Sequence, residues 1–441
     1  MQSNKLLATG LFLRRFVFVS AVLTLTATVL SAQADANPGE KHTPAKIDKQ
    51  IMFFPESVVQ EKWPHTLKLV NFPKNLALLN PGQCIRIGIV ATGDGRDEYL
   101  EKAQLSFRVE FAGHTDSHSL SPLAAIKQIK PEGGDFVPAV LNAASVPNPM
   151  LTMASLGASA DKWCVPADAQ DGTAIVEAET ETPGGRQKQT HIKIQIESFE
   201  TGSKRTFTND DEFSGFLMNY HYQPNPARLY PALLFLSADR KALQGAGVVE
   251  SMSSSFSSAL KENPAAERDF MARISTQTGF TRGFGLLALS MAGYDAEPVI
   301  KTMSQEDQQK FKKVPVLPNP YEFGAPQDVP TQFDMLWGIF GTTGQFAPIQ
   351  KIATGLAWRS DWDDFDKARK SPNPPKEWTP SIGRAVAYSA AGWSLYSFQL
   401  NDPLAADYIE YMIASPDTPT AIKSELKGLS TNPAFKREGD K

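Results

Sequence analysis

The hydrophobic period of this chain changes once. Before about residue 200 apolar residues recur at every second position; beyond it they recur at every third or fourth. Alternation lays one apolar face on a pleated strand, and a 3.6-residue spacing lays one on a helix. Leu105, Phe107, Val109 and Phe111 alternate with Ser106, Arg108 and Glu110. Ala174, Val176 and Ala178 alternate with Glu177 and Glu179, and Ile192, Ile194 and Ile196 with Lys193, Gln195 and Glu197. Pro183-Gly184-Gly185 between the last two runs is a turn signal, so they predict a β-hairpin whose outer face sets glutamates opposite lysines. Several short strands separated by Pro, Gly and Asn predict an antiparallel, Ig-like β-sandwich over 50–198.

After a polar stretch expected to be a linker (199–207), Phe213, Phe216, Leu217 and Tyr220 take helical spacing, and Asn209 with Glu212 resembles a capping box in front of them. Pro226 suits a first helical position, and Pro231 would kink that helix or delay its start. Phe333, Leu336, Trp337 and Phe340 repeat the spacing. Ile382, Val386, Ser389, Trp393, Tyr396 and Leu400 extend one stripe over five turns, beside the small residues Gly383, Ala387 and Ala391, which let a neighbouring helix come close. Prolines 315, 318, 320, 326 and 330 divide the helices at a connector (314–330) into lobes at 208–313 and 331–430, followed by a polar tail (431–441). Short loops favour antiparallel helix pairs. The expected fold class is α+β and multidomain: the sandwich, then an all-α domain.

The stretch Phe216-Leu217-Met218-Asn219-Tyr220, with Pro224-Asn225-Pro226 and Ala232-Leu233-Leu234-Phe235-Leu236, followed by Phe333-Asp334-Met335-Leu336-Trp337-Gly338 and Gly344-Gln345-Phe346-Ala347-Pro348-Ile349, resembles the α-helical C-terminal domains of uncharacterised bacterial exported proteins. The resemblance covers about half the helical region, rests on packing residues and implies no activity.

The N-terminus reads as an export signal. Lys5, Arg14 and Arg15 precede an uncharged, mostly apolar run from Phe16 to Leu30, and Ala32-Gln33-Ala34 and Ala34-Asp35-Ala36 both fit a small-residue cleavage rule. A signal peptide over 1–36 is expected, with an uncleaved anchor as the alternative; Arg14-Arg15 leaves the Sec and twin-arginine types open. Residues 37–49 read as a flexible mature N-terminus. No later stretch is apolar for long enough to span a bilayer, so the mature chain is expected in the periplasm or outside the cell. There the two cysteines, Cys84 and Cys164, favour a disulfide. In Cys84-Ile85-Arg86-Ile87-Gly88-Ile89 the isoleucines share one strand face and Cys84 phases with Arg86 on the other, which argues against the inter-sheet pin of an immunoglobulin core. A net charge of −4 offers no basic excess, so nucleic acid is not an expected partner.

Three groups are candidate sites. His114 and His118, with Asp116 between, would suit a metal on a helix, but the segment reads as a polar loop. Asp361, Asp363, Asp364 and Asp366 lack the Gly and Glu of a calcium loop, and Ser360 with Asp363 suits a helix N-terminus. As an alternative, two of these carboxylates facing each other across a cleft would do acid–base work on a glycan. Trp362 and Trp378 flank a stiff stretch, Ser371-Pro372-Asn373-Pro374-Pro375-Lys376-Glu377-Trp378-Thr379-Pro380; there a ring stacks on a sugar, docks a partner or staples the loop to the helices. His221 is expected as a cap or a satisfied polar contact. No nucleotide, zinc-protease or hydrolase motif occurs, and no cofactor is called for. The expected function is a non-catalytic binding or scaffolding component of the bacterial envelope, with an envelope protein or a glycan as partner. The alternative is a hydrolase or lyase on envelope polysaccharide.

Overall fold

The computed structural model describes residues 48–55, 78–92, 104–120, 150–152, 162–182, 185–238, 247–312, 317–372, 374–375 and 377–435. The expected signal peptide, and the expected flexible segment up to residue 47, lie outside the described residues. The protein is α+β.

The described strands are β1 (Asp48–Pro55), β2 (Leu78–Leu79), β3 (Cys84–Thr92), β4 (Gln104–Phe111), β5 (His114–Leu120), β6 (Met150–Thr152), β7 (Lys162–Cys164), β8 (Gly172–Thr182) and β9 (Gly185–Ile196). They form two sheets. In the first, β3 pairs with β1, β6 and β7, always antiparallel. The second runs β2-β9-β8-β4-β5. The alternating runs fall where expected: β8 and β9 are a hairpin with Thr182 opposite Gly185, and its register sets Glu179 opposite Lys188 and Glu181 opposite Arg186. The expectation of a wholly antiparallel region is corrected at one edge, because β2 pairs with β9 in parallel. A hairpin forces antiparallel pairing only on strands adjacent in sequence, and the other strands separate these two. One buried cluster draws Ile85 and Trp163 from the first sheet and Val109, Val176, Ile194 and Ile196 from the second.

Cys84 and Cys164 form a disulfide with a Cα–Cα distance of 4.0 Å. They are register partners of β3 and β7, so the bridge lies within one sheet, as the phase of Cys84 against the buried Ile85 requires. It closes a span of 80 residues, worth about 4 kcal/mol in the chain-entropy account.

The helices are α1 (Phe199–Gly202), α2 (Asp210–Met218), α3 (Leu229–Ala238), α4 (Val248–Lys261), α5 (Pro264–Ser275), α6 (Gly279–Met291), α7 (Glu297–Ile300), α8 (Gln305–Lys312), α9 (Val329–Thr343), α10 (Phe346–Ala353), α11 (Arg359–Arg369), α12 (Pro380–Asn401), α13 (Pro403–Ala414) and α14 (Thr420–Lys427). Among the described residues no helix is long and apolar enough to cross a membrane. Two buried clusters organise them, one drawing on Phe207 to Met303 and the other on Val329 to Phe435. Asn209 caps α2 by accepting from the Glu212 backbone N–H at 2.8 Å, and the Glu212 carboxylate returns to the Thr208 N–H at 3.1 Å. Pro226 opens a 3₁₀ turn and α3 proper starts at Leu229, which accommodates Pro231 within the first turn.

Three expectations change. Residues 199–207 are not a free tether. Ser198 caps α1, a Cβ on Gly202 would lie 2.3 Å from the Ala227 side chain, and Phe207 is buried with the Arg228 guanidinium 3.9 Å from its ring centroid. The first residues of the expected polar tail are packed, since Phe435 is fully buried against Gly392. On α12 the buried face is the one with Gly383, Ala387, Tyr388, Ala391 and Leu395, while Leu400 of the expected stripe is 66% exposed. Small residues win that face because they admit close neighbours: Gly383 meets Pro326, and Ala391 meets Gly355.

Among the described residues, α4 and α9 make the most extensive contact between two helices. A Cβ on Gly338 would stand 2.5 Å from the Ser251 carbonyl oxygen and 2.8 Å from Ser255 Oγ, and Gly247 meets Asp334 one turn earlier. Positions rise together along both helices, so this pair is parallel, in contrast to the expected antiparallel pairing. A long connection separates the two helices in sequence and leaves their relative direction to the packing. Gly338→Ala gains helix propensity but forces the helices apart. It should therefore lower stability by about 2 kcal/mol in urea unfolding, whereas Gly283→Ala, with open space around it, should be neutral or stabilising by up to about 1 kcal/mol.

Candidate functional site

The acidic run lies on α11. The helix begins at Arg359, one residue before the expected cap, directly after a 3₁₀ turn over Thr354–Trp358. Asp361 falls in its first turn, where a carboxylate complements the helix dipole. With about 100° of rotation per residue, positions 361, 363, 364 and 366 point in different directions around the helix. Asp361 turns toward α12, where Arg384 holds it with two bonds of 2.9 Å and the Ser381 hydroxyl donates at 2.6 Å. Asp363 pairs with Arg359 at 3.2 Å. Asp366 pairs with Arg369 at 2.6 Å and with Lys370 at 2.5 Å. Asp364 is exposed.

Electrostatics follow from these partners. The Arg384 hydrogen bond holds Asp361 below the usual carboxylate range against the opposing effect of burial. Lys370 and then Arg369 do the same for Asp366. A glycosidase acid needs the opposite, a carboxyl kept protonated near neutral pH. The arrangement on α11 instead fastens one helix to the next and sets ionised carboxylates among cations.

Trp362 is half-buried on the same helix, its ring centroid 6.1 Å from that of Tyr388 and the Arg369 guanidinium 5.5 Å away. Trp378 is 42% exposed just before α12. Of the two rings only Trp378 is open to a large partner. Trp337 is buried in the core and stacks on Phe398 at 3.7 Å.

The expected loop at 114–118 is a strand. β5 pairs with β4 along its whole length, because its polar residues suit a sheet edge as well as a turn. Extended backbone puts positions 114 and 118 about 13 Å apart, beyond a shared ion. His114 and Asp116 are exposed, and Asp116 accepts from Trp163 Nε1 at 3.2 Å. Among the described residues no group of three or more His, Cys, Asp or Glu could hold a metal ion.

The structure also assembles two polar clusters absent from the sequence expectations. Glu425, buried, accepts from Arg359 at 2.7 Å, from the Tyr388 hydroxyl and from Asn432. The second cluster ties the two halves of the helical region together. His221 is fully buried, with Nδ1 3.0 Å from the Gly341 carbonyl and Nε2 3.4 Å from Asp402. The expected polar contact is made at Nδ1 alone; Nε2 faces the Asp402 carboxylate without a hydrogen bond. Asp402 caps α13 by accepting from the Leu404 and Ala405 N–H groups, and it accepts from the Tyr222 hydroxyl at 3.0 Å. Burial pushes the Asp402 carboxyl up, yet His221, the Ala405 N–H and Tyr222 outweigh it and hold the group below its ordinary value. The capping half of this was legible in Asp402-Pro403. The His221 half was not, since 181 positions separate the partners.

No family model, curated protein or solved structure matches the chain.

Asp402→Ala removes the cap, the acceptor of the half-buried Tyr222 hydroxyl and the carboxylate facing buried His221 together, and should lower stability by about 3 kcal/mol in denaturant titrations; Asp402→Asn, which keeps a capping oxygen, should lose less. The folded-state carboxyl titrates below its unfolded value, so its contribution is present above the unfolded carboxylate range and fades as pH falls through the folded value. Parent and variant should therefore converge in acid.

Proposed function

We propose that the protein is exported and works as a non-catalytic binding or scaffolding component of the bacterial envelope, with the loop at 371–380 as its contact surface. The observation that carries this reading is the contrast around that loop. Trp378 is open to solvent, while Asp361, Asp363 and Asp366 on α11, the helix that precedes the loop, are each engaged by a cation. A rigid aromatic on a proline-stiffened loop loses little entropy when it docks, which suits an envelope protein or a glycan. In the same reading the two sheets form an Ig-like sandwich that carries the helical lobes. The in-sheet disulfide suits an oxidising compartment such as the periplasm or the exterior. The resemblance of the helical region to bacterial exported proteins agrees with that address.

The test is retention on immobilised envelope protein and envelope polysaccharide fractions. Trp378→Ala, and a variant in which residues 372–378 are replaced by a Gly/Ser stretch of the same length so that the cap and start of α12 are kept, should each fold like the parent and lose about tenfold or more of the retained partner. Retention equal to the parent's in both variants contradicts this contact surface.

A further inference from the structure

Cys84 and Cys164 are the chain's two cysteines, so their bridge has no internal thiol to exchange with and changes only when a thiol from outside reaches it. The fold leaves it within reach. Ile85 and Trp163, the next register pair, belong to the core and are 0% and 4% exposed; alternation therefore turns the cysteine pair to the other face of the sheet. Cys164 is exposed there and Cys84 is half-buried. Two positions along, the register pairs Arg86 with Lys162, and basic residues beside a cysteine favour its thiolate.

The strands have other means of staying paired. The Val165 N–H donates to the Gln83 carbonyl at 2.9 Å, and the Gly82 N–H to the Val165 carbonyl at 3.0 Å. The Trp163 ring meets Phe111 edge-on, centroids 6.3 Å apart, and its Nε1 donates to Asp116. These contacts hold the two sulfurs opposite each other when the bond between them is broken, so a thiol pair formed there closes again on oxidation. What the bridge adds is a covalent hold on one turn. Cys84 follows directly on Asn80–Gln83, and β7 continues into the bonds at Gly82 and Gln83. The helical region fastens to that same turn: the Ala227 N–H donates to Asn80 Oδ1 at 3.4 Å, Gln83 Nε2 to the Pro224 carbonyl at 3.1 Å, and Asn263 Nδ2 to the Pro81 carbonyl at 3.0 Å.

We propose that the Cys84–Cys164 bridge is a reversible redox site, opened at Cys164 by an external dithiol, and that opening it loosens the turn at 80–83. One thiolate of the dithiol attacks Cys164 Sγ. The bond between the two protein sulfurs breaks, a bond from Cys164 to the dithiol forms, and Cys84 leaves as a thiolate. The second thiol of the dithiol then attacks its own sulfur in this mixed disulfide and releases Cys164. The dithiol ends as a disulfide, two electrons poorer, and the protein as two thiols, which take up through solvent the two protons the dithiol gave up. The span of 80 residues is then open, and β7 holds the turn by backbone hydrogen bonds without a covalent link.

The experiment treats the full chain with dithiothreitol in the absence of denaturant, caps free thiols with iodoacetamide, weighs the products and follows hydrogen exchange peptide by peptide. Both cysteines should be alkylated while the circular dichroism spectrum stays that of the parent. Exchange at 78–85 and 162–165 should quicken by about fivefold or more, and exchange at 222–228 should quicken with it. Oxidised glutathione, added after the dithiothreitol is removed, should restore the bridge and the slow exchange with no refolding step. Single variants locate the point of entry: Cys84→Ser, which leaves Cys164, should form a mixed disulfide with oxidised glutathione about tenfold faster than Cys164→Ser, which leaves Cys84. A bridge that stays intact until urea unfolds the chain overturns the proposal, as does reduction that melts the strands. Exchange at 78–85 unchanged by reduction, or equal rates in the two variants, also contradicts it.

Discussion

Gly338 brings a helix of one lobe against the backbone of a helix in the other, with the Ser251 carbonyl where a side chain would otherwise stand. Small residues carry this contact: Gly247 just before α4, Ser251 and Ser255 on it, and Gly338 on α9, with Asp334 one turn before Gly338 over Gly247. Large apolar side chains point away from the seam into separate cores, Met252 and Phe256 on one side, Phe333 and Phe340 on the other. Two modest cores thereby gain an interface whose strength comes from proximity and dispersion more than from apolar area. The His221–Asp402–Tyr222 cluster reinforces the same junction with hydrogen bonds to Gly341 and Asp402. His221 reaches across from the end of α2 to the Gly341 carbonyl on α9 and to the cap of α13.

A second join between the sheets and the helices centres on one turn. Asn80-Pro81-Gly82-Gln83 has proline and then a glycine at φ +80°, with the Gln83 N–H returned to the Asn80 carbonyl at 3.1 Å, as in a type II turn. Its polar groups face the helical region. Asn80 donates to the Glu197 carbonyl, Gln83 to the Pro224 carbonyl, and Asn263, the cap of α5, to the Pro81 carbonyl. Glu197, buried at the end of β9, meets Arg205 at 2.9 Å. Backbone that ends one region is thus hydrogen-bonded by side chains that begin the other. The interface is polar and specific and does not depend on a large apolar face.

Local features were legible in the sequence, and features that depend on partners distant in sequence were not. Strand β4 could be read from Leu105 to Phe111, and the cap of α2 from Asn209 and Glu212, because period and capping are properties of neighbouring residues. The phase of Cys84 against Ile85 correctly argued against an inter-sheet bridge. The buried face of α12 could not be read from hydrophobicity, since Gly383, Ala387 and Ala391 score low by that measure and earn burial through shape. The pairing of Asp361 with Arg384, and of Glu425 with Arg359, joins residues with no local signature. In sequence the acidic run reads as one cluster; in the fold Asp361, Asp363 and Asp366 each go to a separate cation.

Together these joins imply that α4 and α9, though they belong to different cores, open only together. Native-state hydrogen exchange read peptide by peptide measures this directly. Peptides covering 248–261 and 329–343 should lose protection in one event, with the same dependence on denaturant. If the two helices exchange at clearly different free energies, with one lobe opening while the other stays closed, the seam does not unite the lobes and the account of the fold is wrong.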